Sequence, residues 1–321
     1  MTPTTNRPLD AAKNELAIEL LAPDSHTSVL AVGTGQADDR IVVYLQSEDS
    51  PKGCGGIPTE QDGIAVETVV IGRFGRLFQA PTRADFGPGL PIRLNTSAPN
   101  VNCRAPGTLG AIVCDESKKP QYFILSCNHI LAVNGRAPDN SQVVSLPPVG
   151  VAPEPIGTFP GEGFYIEIGG RPINSVDCAL ARLDESKSGN LAGAGKSAAP
   201  GDPMLGNRVH KFGAITGLTY GKIVDVKADV CADYSFGNFR FNDQVLIQGE
   251  SEEFAWDGDS GSIVVDDASG QPVAMVFAEA GEYAVACPLK PVLAQLEGKL
   301  GNRIQGHLRL VAFNGPVKAA Q

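Results

Sequence analysis

The chain has 321 residues and a formal net charge of −10, enough length for two or three compact units. It carries no basic run and no basic–aromatic interleaving, which argues against nucleic acid as the main partner. Glycine (37) and proline (24) are abundant while aromatics make up 6%, so turn-rich β structure is expected rather than a helix bundle.

Residues 1–9 read as a disordered tail. Apolar residues at helical spacing predict a helix over Ala11–Leu21, ending before Pro23. Ser28–Gly33, Arg40–Leu45 and Ile64–Ile71 read as strands, with a hairpin turn at Gly33-Thr34-Gly35. Residues 10–75 are therefore expected to form a small α+β unit, followed by an irregular connector over 76–106, rich in Pro, Gly and Arg.

A first barrel is expected over 107–185. Its strands would include Gly107–Val113, Tyr122–Leu125, Phe164–Ile168 and Asp177–Leu183, with a Pro-rich loop at Leu146–Pro160. The small, flexible stretch 186–203 reads as a linker. A second barrel, 204–290, would hold Arg208–Gly213, Gly221–Val226, Asp243–Ile247, Ser262–Val265 and Pro272–Ala278. Val292, Leu293, Leu296 and Leu300 predict a helix within a C-terminal segment of 291–321. The fold class is mainly β: two packed barrels, a small N-terminal α+β unit and a C-terminal helix.

Chemistry concentrates at Trp256-Asp257-Gly258-Asp259-Ser260-Gly261-Ser262, just before the apolar run Ile263-Val264-Val265. A serine between two glycines suits a nucleophile, because glycine permits a sharp turn that frees amides to face a developing oxyanion. A serine nucleophile needs a base, and the base needs an orienter. Of the four histidines, only His129 directly follows a strongly strand-like run, Tyr122–Leu125. Asp177 opens the alternating segment to Leu183, where an aspartate can be desolvated and aimed at an imidazole. The order is His129, Asp177, Ser260, with steps of 48 and 83 positions.

That order and spacing resemble the chymotrypsin-like serine peptidases, which have two packed six-stranded barrels. Gly107-Thr108-Leu109-Gly110, Leu125-Ser126-Cys127-Asn128-His129-Ile130-Leu131-Ala132, Val209–Gly213 with Thr216–Gly221, and Gly258–Ser262 are similar to the narrow-leaf-type trypsin-like peptidases of plants and bacteria. The likeness covers roughly residues 20–300. The usual Ser-Asn-Asn-His of that group is Ser126-Cys127-Asn128-His129 here, and Cys127 reads as a small core residue rather than a second nucleophile.

The resemblance implies a Ser260–His129–Asp177 triad and an oxyanion hole from the amides of Gly258 and Ser260. It further places Phe254 at the base of the specificity pocket, with Phe277, Ala278 and Glu279 along its wall. An apolar base implies cleavage after small or medium apolar residues, unless Glu279 folds inward and receives a basic side chain. No activating amino-terminal sequence precedes the first barrel, so Asp259 must pair with something other than a freed amino terminus.

His26, His210 and His307 have no metal-ligand neighbours in sequence, and the seven cysteines form no C-x-x-C pair, so neither metal nor cofactor is expected. The cysteine pattern and the lack of an apolar leader or membrane-length run point to a cytoplasmic protein that does not enter membranes. Its partner is a protein or peptide substrate; a homo-oligomer stays open. Two other classes stay open as well: a catalytically silent binding scaffold and an esterase using the same serine.

Overall fold

The computed structural model describes residues 7–22, 29–35, 39–45, 56–71, 86–96, 106–146, 152–169, 173–188, 191, 198–250 and 253–311. Helix α1 (Arg7–Leu20) opens the chain, so the predicted tail is helical from residue 7 onward, and residues 1–6 lie outside the described residues. Strands β1 (Val29–Gly33) and β2 (Ile41–Leu45) pair antiparallel, and β2 is buried on both faces. Ile41, Val43 and Leu45 pack under Leu9, Ala12, Leu16 and Leu20 of α1, while Val42 and Tyr44 face the large central core. The two-residue β3 (Glu60–Gln61) and β4 (Ile64–Val70) complete this edge, with β4 parallel to β2.

The eight-stranded sheet begins with β5 (Pro91–Asn95), inside the stretch expected to be an irregular connector. It continues with β6 (Gly107–Thr108), β7 (Ala111–Cys114), β8 (Tyr122–Ser126), the one-turn helix α2 (Asn128–Leu131), β9 (Ser141–Ser145), β10 (Pro155–Phe159) and β11 (Ala179–Leu183). The Pro-rich segment thus contains a strand, because Pro155 sits at its first position, where a missing amide is tolerated. Conversely, Phe164–Ile168 forms no strand; it holds to the chain beside β11 through Ile166 N to Cys178 O and Leu180 N to Phe164 O. Only Leu109 and Gly110 separate β6 at one edge from β7 near the other, so the sheet must curl back on itself.

A short helix, α3 (Glu185–Ser188), leads toward the second sheet. There β12 (Arg208–Gly213), β13 (Gly217–Tyr234), β14 (Gly237–Gly249), β15 (Ile263–Asp266), β16 (Pro272–Ala280) and β17 (Tyr283–Pro288) run in the order β12-β15-β16-β17-β14-β13, and a β12–β13 pairing closes the six into a barrel. β13 and β14 extend far beyond the expected segments. The alternation breaks at Asp225, Lys227 and Asp229, yet register shifts at Ile223–Asp225, Asp225–Ala228 and Ala228–Val230 carry the pairing through. Asp225 accepts from the amides of Gly35 and Lys227, and Asp229 pairs with Lys13 (3.3 Å) and Arg240 (2.9 Å). Burial raises the Asp225 carboxyl above the usual carboxylate range.

Past that bulged region β13 pairs with β1, Ala31 opposite Val230, so the N-terminal strands continue the second sheet rather than standing as a separate unit. Helix α4 (Leu289–Leu300) buries Leu289, Val292, Leu293, Leu296 and Leu300 in the central core. The chain then returns to the first sheet as β18 (Arg309–Leu310), paired with β7, where a tail was expected. The architecture is mainly β, two curled sheets with a C-terminal helix. Among the described residues no helix is long and apolar enough to cross a membrane, and the five described cysteines are free.

Candidate active site

The two sheets meet at the segment around Ser260. Thr108 N donates to Ser260 O (2.8 Å), Thr108 Oγ1 to Gly258 O (2.9 Å), and Cys127 Sγ to Val276 O (3.3 Å). Cys127 is fully buried, and burial pushes its thiol well above the ordinary range, as expected of a packing residue rather than a nucleophile.

His129 is the second residue of α2, whose N-cap position is Cys127, directly after β8. Its Nδ1 lies 2.5 Å from Asp177 Oδ2. Asp177 is fully buried, but its four acceptor positions are filled. Oδ1 accepts from the amides of Asn128 (2.7 Å) and His129 (3.3 Å); Oδ2 accepts from His129 and from the Tyr234 hydroxyl (2.8 Å). A buried carboxylate survives on such donors, each charge-assisted. Asn128 and Asn134 lock α2 to the segment leading toward Asp177. Asn128 Nδ2 reaches Ile166 O (2.6 Å), and Asn134 bonds both the amide and the carbonyl of Ile168.

Ser260 follows the turn Trp256–Asp259. Gly258 takes φ +102°, and a Cβ there would lie 2.6 Å from Ile215 Cγ1; Gly261 takes φ +98°, and a Cβ would meet Ser126 Oγ at 2.3 Å. Both positions need glycine for conformation and for space. The amides of Asp259 and Gly261 are spent on Trp256 O and Val276 O, whereas among the described residues those of Gly258 and Ser260 have no protein acceptor. The Ser260 hydroxyl donates weakly to Phe277 O (3.4 Å).

Asp259 finds the partner the sequence demanded: Lys211, 2.9 Å away, both side chains wholly buried. Thr216 Oγ1 (2.6 Å) and the amides of Ile215 (2.8 Å), Thr216 (3.2 Å) and Trp256 (3.1 Å) complete its shell, and Thr216 Oγ1 also contacts the Lys211 ammonium. Desolvation lowers the Lys211 pKa, opposed by Asp259. The sequence carried a signal for this lysine: Val209, Lys211 and Gly213 share the inward face of β12, where a charge requires a partner. Tyr234 gave no comparable signal, being 57 positions from Asp177.

His129, Ser260 and Tyr234 line one cleft together with Ala255, Trp256, Asp257, Val276, Phe277, Ala278, Glu279, Ala232 and Asp233. Of the expected pocket, Phe277, Ala278 and Glu279 are at the cleft. Phe254, expected at its base, is not among the residues that line it. Phe254 is fully buried in the second-barrel core, its ring centroid 5.8 Å from Lys211 Nζ, and Ala255 faces the cleft instead. Glu279 is pushed up to about 7 by burial, then by Asp257, Glu253 and Asp259.

Cys127 Sγ, His129 and Asp177 place ligand atoms within 4.8 Å of one another, the one such metal-sized group among the described residues. Cys127 Sγ donates to Val276 O, and Asp177 Oδ2 is shared by His129 Nδ1 and the Tyr234 hydroxyl. His210 pairs with Asp267 (2.5 Å) beside Tyr220 and His307 with Glu297 (3.1 Å), neither in the cleft; His26 lies outside the described residues.

Comparison by sequence finds no matching family model and no matching curated protein. By structure the chain is similar to Thermobifida fusca Protease A (17% identity, 72% of this chain and 100% of that one, TM-score 0.45). It is similar too to a Nocardiopsis protease (18%, 71% and 100%, TM-score 0.42) and to Cellulomonas bogoriensis chymotrypsin (18%, 70% and 98%, TM-score 0.41).

Proposed function

We propose that this chain is a serine endopeptidase using Ser260, His129 and Asp177. The observation that supports it most is His129, held by Asp177 at 2.5 Å, sharing one cleft with a serine whose turn leaves two amides without acceptors among the described residues. Asp177 holds Nδ1, which makes Nε2 the nitrogen available to Ser260. In this reading the Ser260 hydroxyl, which donates weakly to Phe277 O at 3.4 Å, gives up that bond for one to Nε2 when substrate is attacked.

In this reading Ser260 Oγ bonds to the scissile carbonyl carbon as its proton passes to His129, and the oxyanion is received by the amides of Gly258 and Ser260. His129 then gives the proton to the amine as the C–N bond breaks, leaving an acyl ester on Ser260. Water, losing a proton to His129, attacks the ester; the acid leaves and Ser260 regains its proton. The buried Lys211–Asp259 pair holds the turn throughout, so no cleavage to free an amino terminus is required.

The apolar specificity now rests on Ala255, Val276, Phe277 and Ala278 rather than on Phe254. Small or medium apolar side chains fit such a lining, and Glu279, ionised above about pH 7, adds acceptance of Lys or Arg. A peptide-library digest read by mass spectrometry at pH 6 and at pH 8 tests this: apolar cleavage at both, basic cleavage growing with pH. Predominant basic cleavage at pH 6 would overturn it. Fluorophosphonate labelling of Ser260 separates the enzyme from a silent scaffold, and the digest separates peptidase from esterase.

A further inference from the structure

We propose that Tyr234 is a positioning residue for the His129–Asp177 pair, delivered from the second sheet to a pair that belongs to the first. This rests on the peptidase reading above. The hydroxyl of Tyr234 donates to Asp177 Oδ2 at 2.8 Å, the same oxygen that His129 Nδ1 meets at 2.5 Å. Its ring meets the imidazole edge-on, with centroids 5.4 Å apart and planes at 60°. One side chain therefore constrains both partners: the hydroxyl fixes the carboxylate's rotation, and the ring fixes the imidazole's.

Neither constraint is supplied locally. Tyr234 is the last residue of β13 and faces Gly237 across a two-residue hairpin loop, so its position depends on the full length of the β13–β14 ribbon. The ring is stacked on Phe236 (5.0 Å, 20°) and flanked by Phe239 and Phe241, leaving it 7% exposed. An aromatic clamped on several sides keeps a single rotamer, and a hydroxyl on that rotamer is a fixed donor. Asp177 also takes two backbone amides, but both enter at Oδ1. Without Tyr234 the bond from His129 would be the one left on Oδ2, and the carboxylate's rotation would rest on that bond and the two amides at Oδ1.

Tyr234→Phe removes the hydroxyl and keeps the ring, so it leaves no buried donor unpaired. In the full chain, kcat/KM for a peptide substrate should fall about tenfold, through kcat, with KM unchanged. The far-downfield proton resonance of the His129 Nδ1–H bonded to Asp177 should shift and broaden. Tyr234→Leu, which also removes the ring contact, should cost more again. An unchanged resonance with unchanged kcat/KM would overturn the proposal. So would a rise in KM alone, which would make Tyr234 a substrate contact of the cleft. Fluorophosphonate labelling of the unmodified protein separates the two failures. If Ser260 does not label, the peptidase reading fails and the His129 resonance alone decides the role of Tyr234.

Discussion

Asp177 and Asp259, buried beside cleft residues, and Glu279, which lines the cleft itself, are carboxylates built in opposite ways. Both aspartates are fully buried and saturated, Asp177 by four donors and Asp259 by an ammonium, a hydroxyl and three amides. Glu279 is half-buried, faces other acids, and among the described residues has no ion pair, so it holds its proton up to about pH 7. Saturated carboxylates hold a geometry still; an unsatisfied one is free to respond to what enters. In the proposed function the framework and the selectivity therefore fall to different residues.

The largest test asks whether the framework serves catalysis at all. Ser260→Ala should reduce peptide hydrolysis by about a millionfold while the thermal melt stays that of the parent. His129→Ala should match it, whereas His210→Ala should leave the rate alone; retained hydrolysis by folded Ser260→Ala would remove the assignment. Next comes Asp177→Asn, which keeps the shape of the saturated carboxylate but favours the wrong imidazole tautomer. A fall of about 10⁴-fold in kcat is expected, and a fall of less than tenfold would show that the saturated pair is only structural.

Lys211→Met probes the second saturated carboxylate. Removing the ammonium leaves Asp259 buried beside neutral donors, and stripping one partner from a buried pair costs about 3–5 kcal/mol. The urea midpoint should drop accordingly, and Lys211→Met with Asp259→Asn together should recover part of the loss. If the double variant is no better than the single, the two do not act as a pair.

The smallest effect belongs to Glu279. Its carboxyl titrates near 7 when folded but at about 4.3 in an unfolded chain. Between those values the folded state binds more protons than the unfolded state, so stability falls as pH rises through this window. Glu279→Gln should remove that fall and be more stable than the parent at pH 8, by about 1 kcal/mol after allowing for solvent screening. Near pH 4, where the parent side chain is neutral too, the two should coincide. The same variant should lose the growth of basic cleavage with pH; a parent-like digest at pH 8 would take Glu279 out of substrate selection.

Local pattern was enough for several of the elements and for naming three side chains as candidates. A continuous apolar run marks β8, i/i+3/i+4 spacing marks α4, and the Gly-flanked serine, the histidine after a strand and the aspartate before one are readable because each signal lies within a few residues. The long β13–β14 ribbon was not readable, because bulges and buried Asp225 and Asp229 break the period of two, and their partners Lys13, Gly35 and Arg240 come from elsewhere in the chain. Tyr234 on Asp177, the choice of Asp259 as the partner of the inward-facing Lys211, and the burial of Phe254 in the core were decided by tertiary structure. Side-chain burial and hydrogen-bond saturation depend on which distant strands meet, and a sequence pattern records periodicity, not meeting.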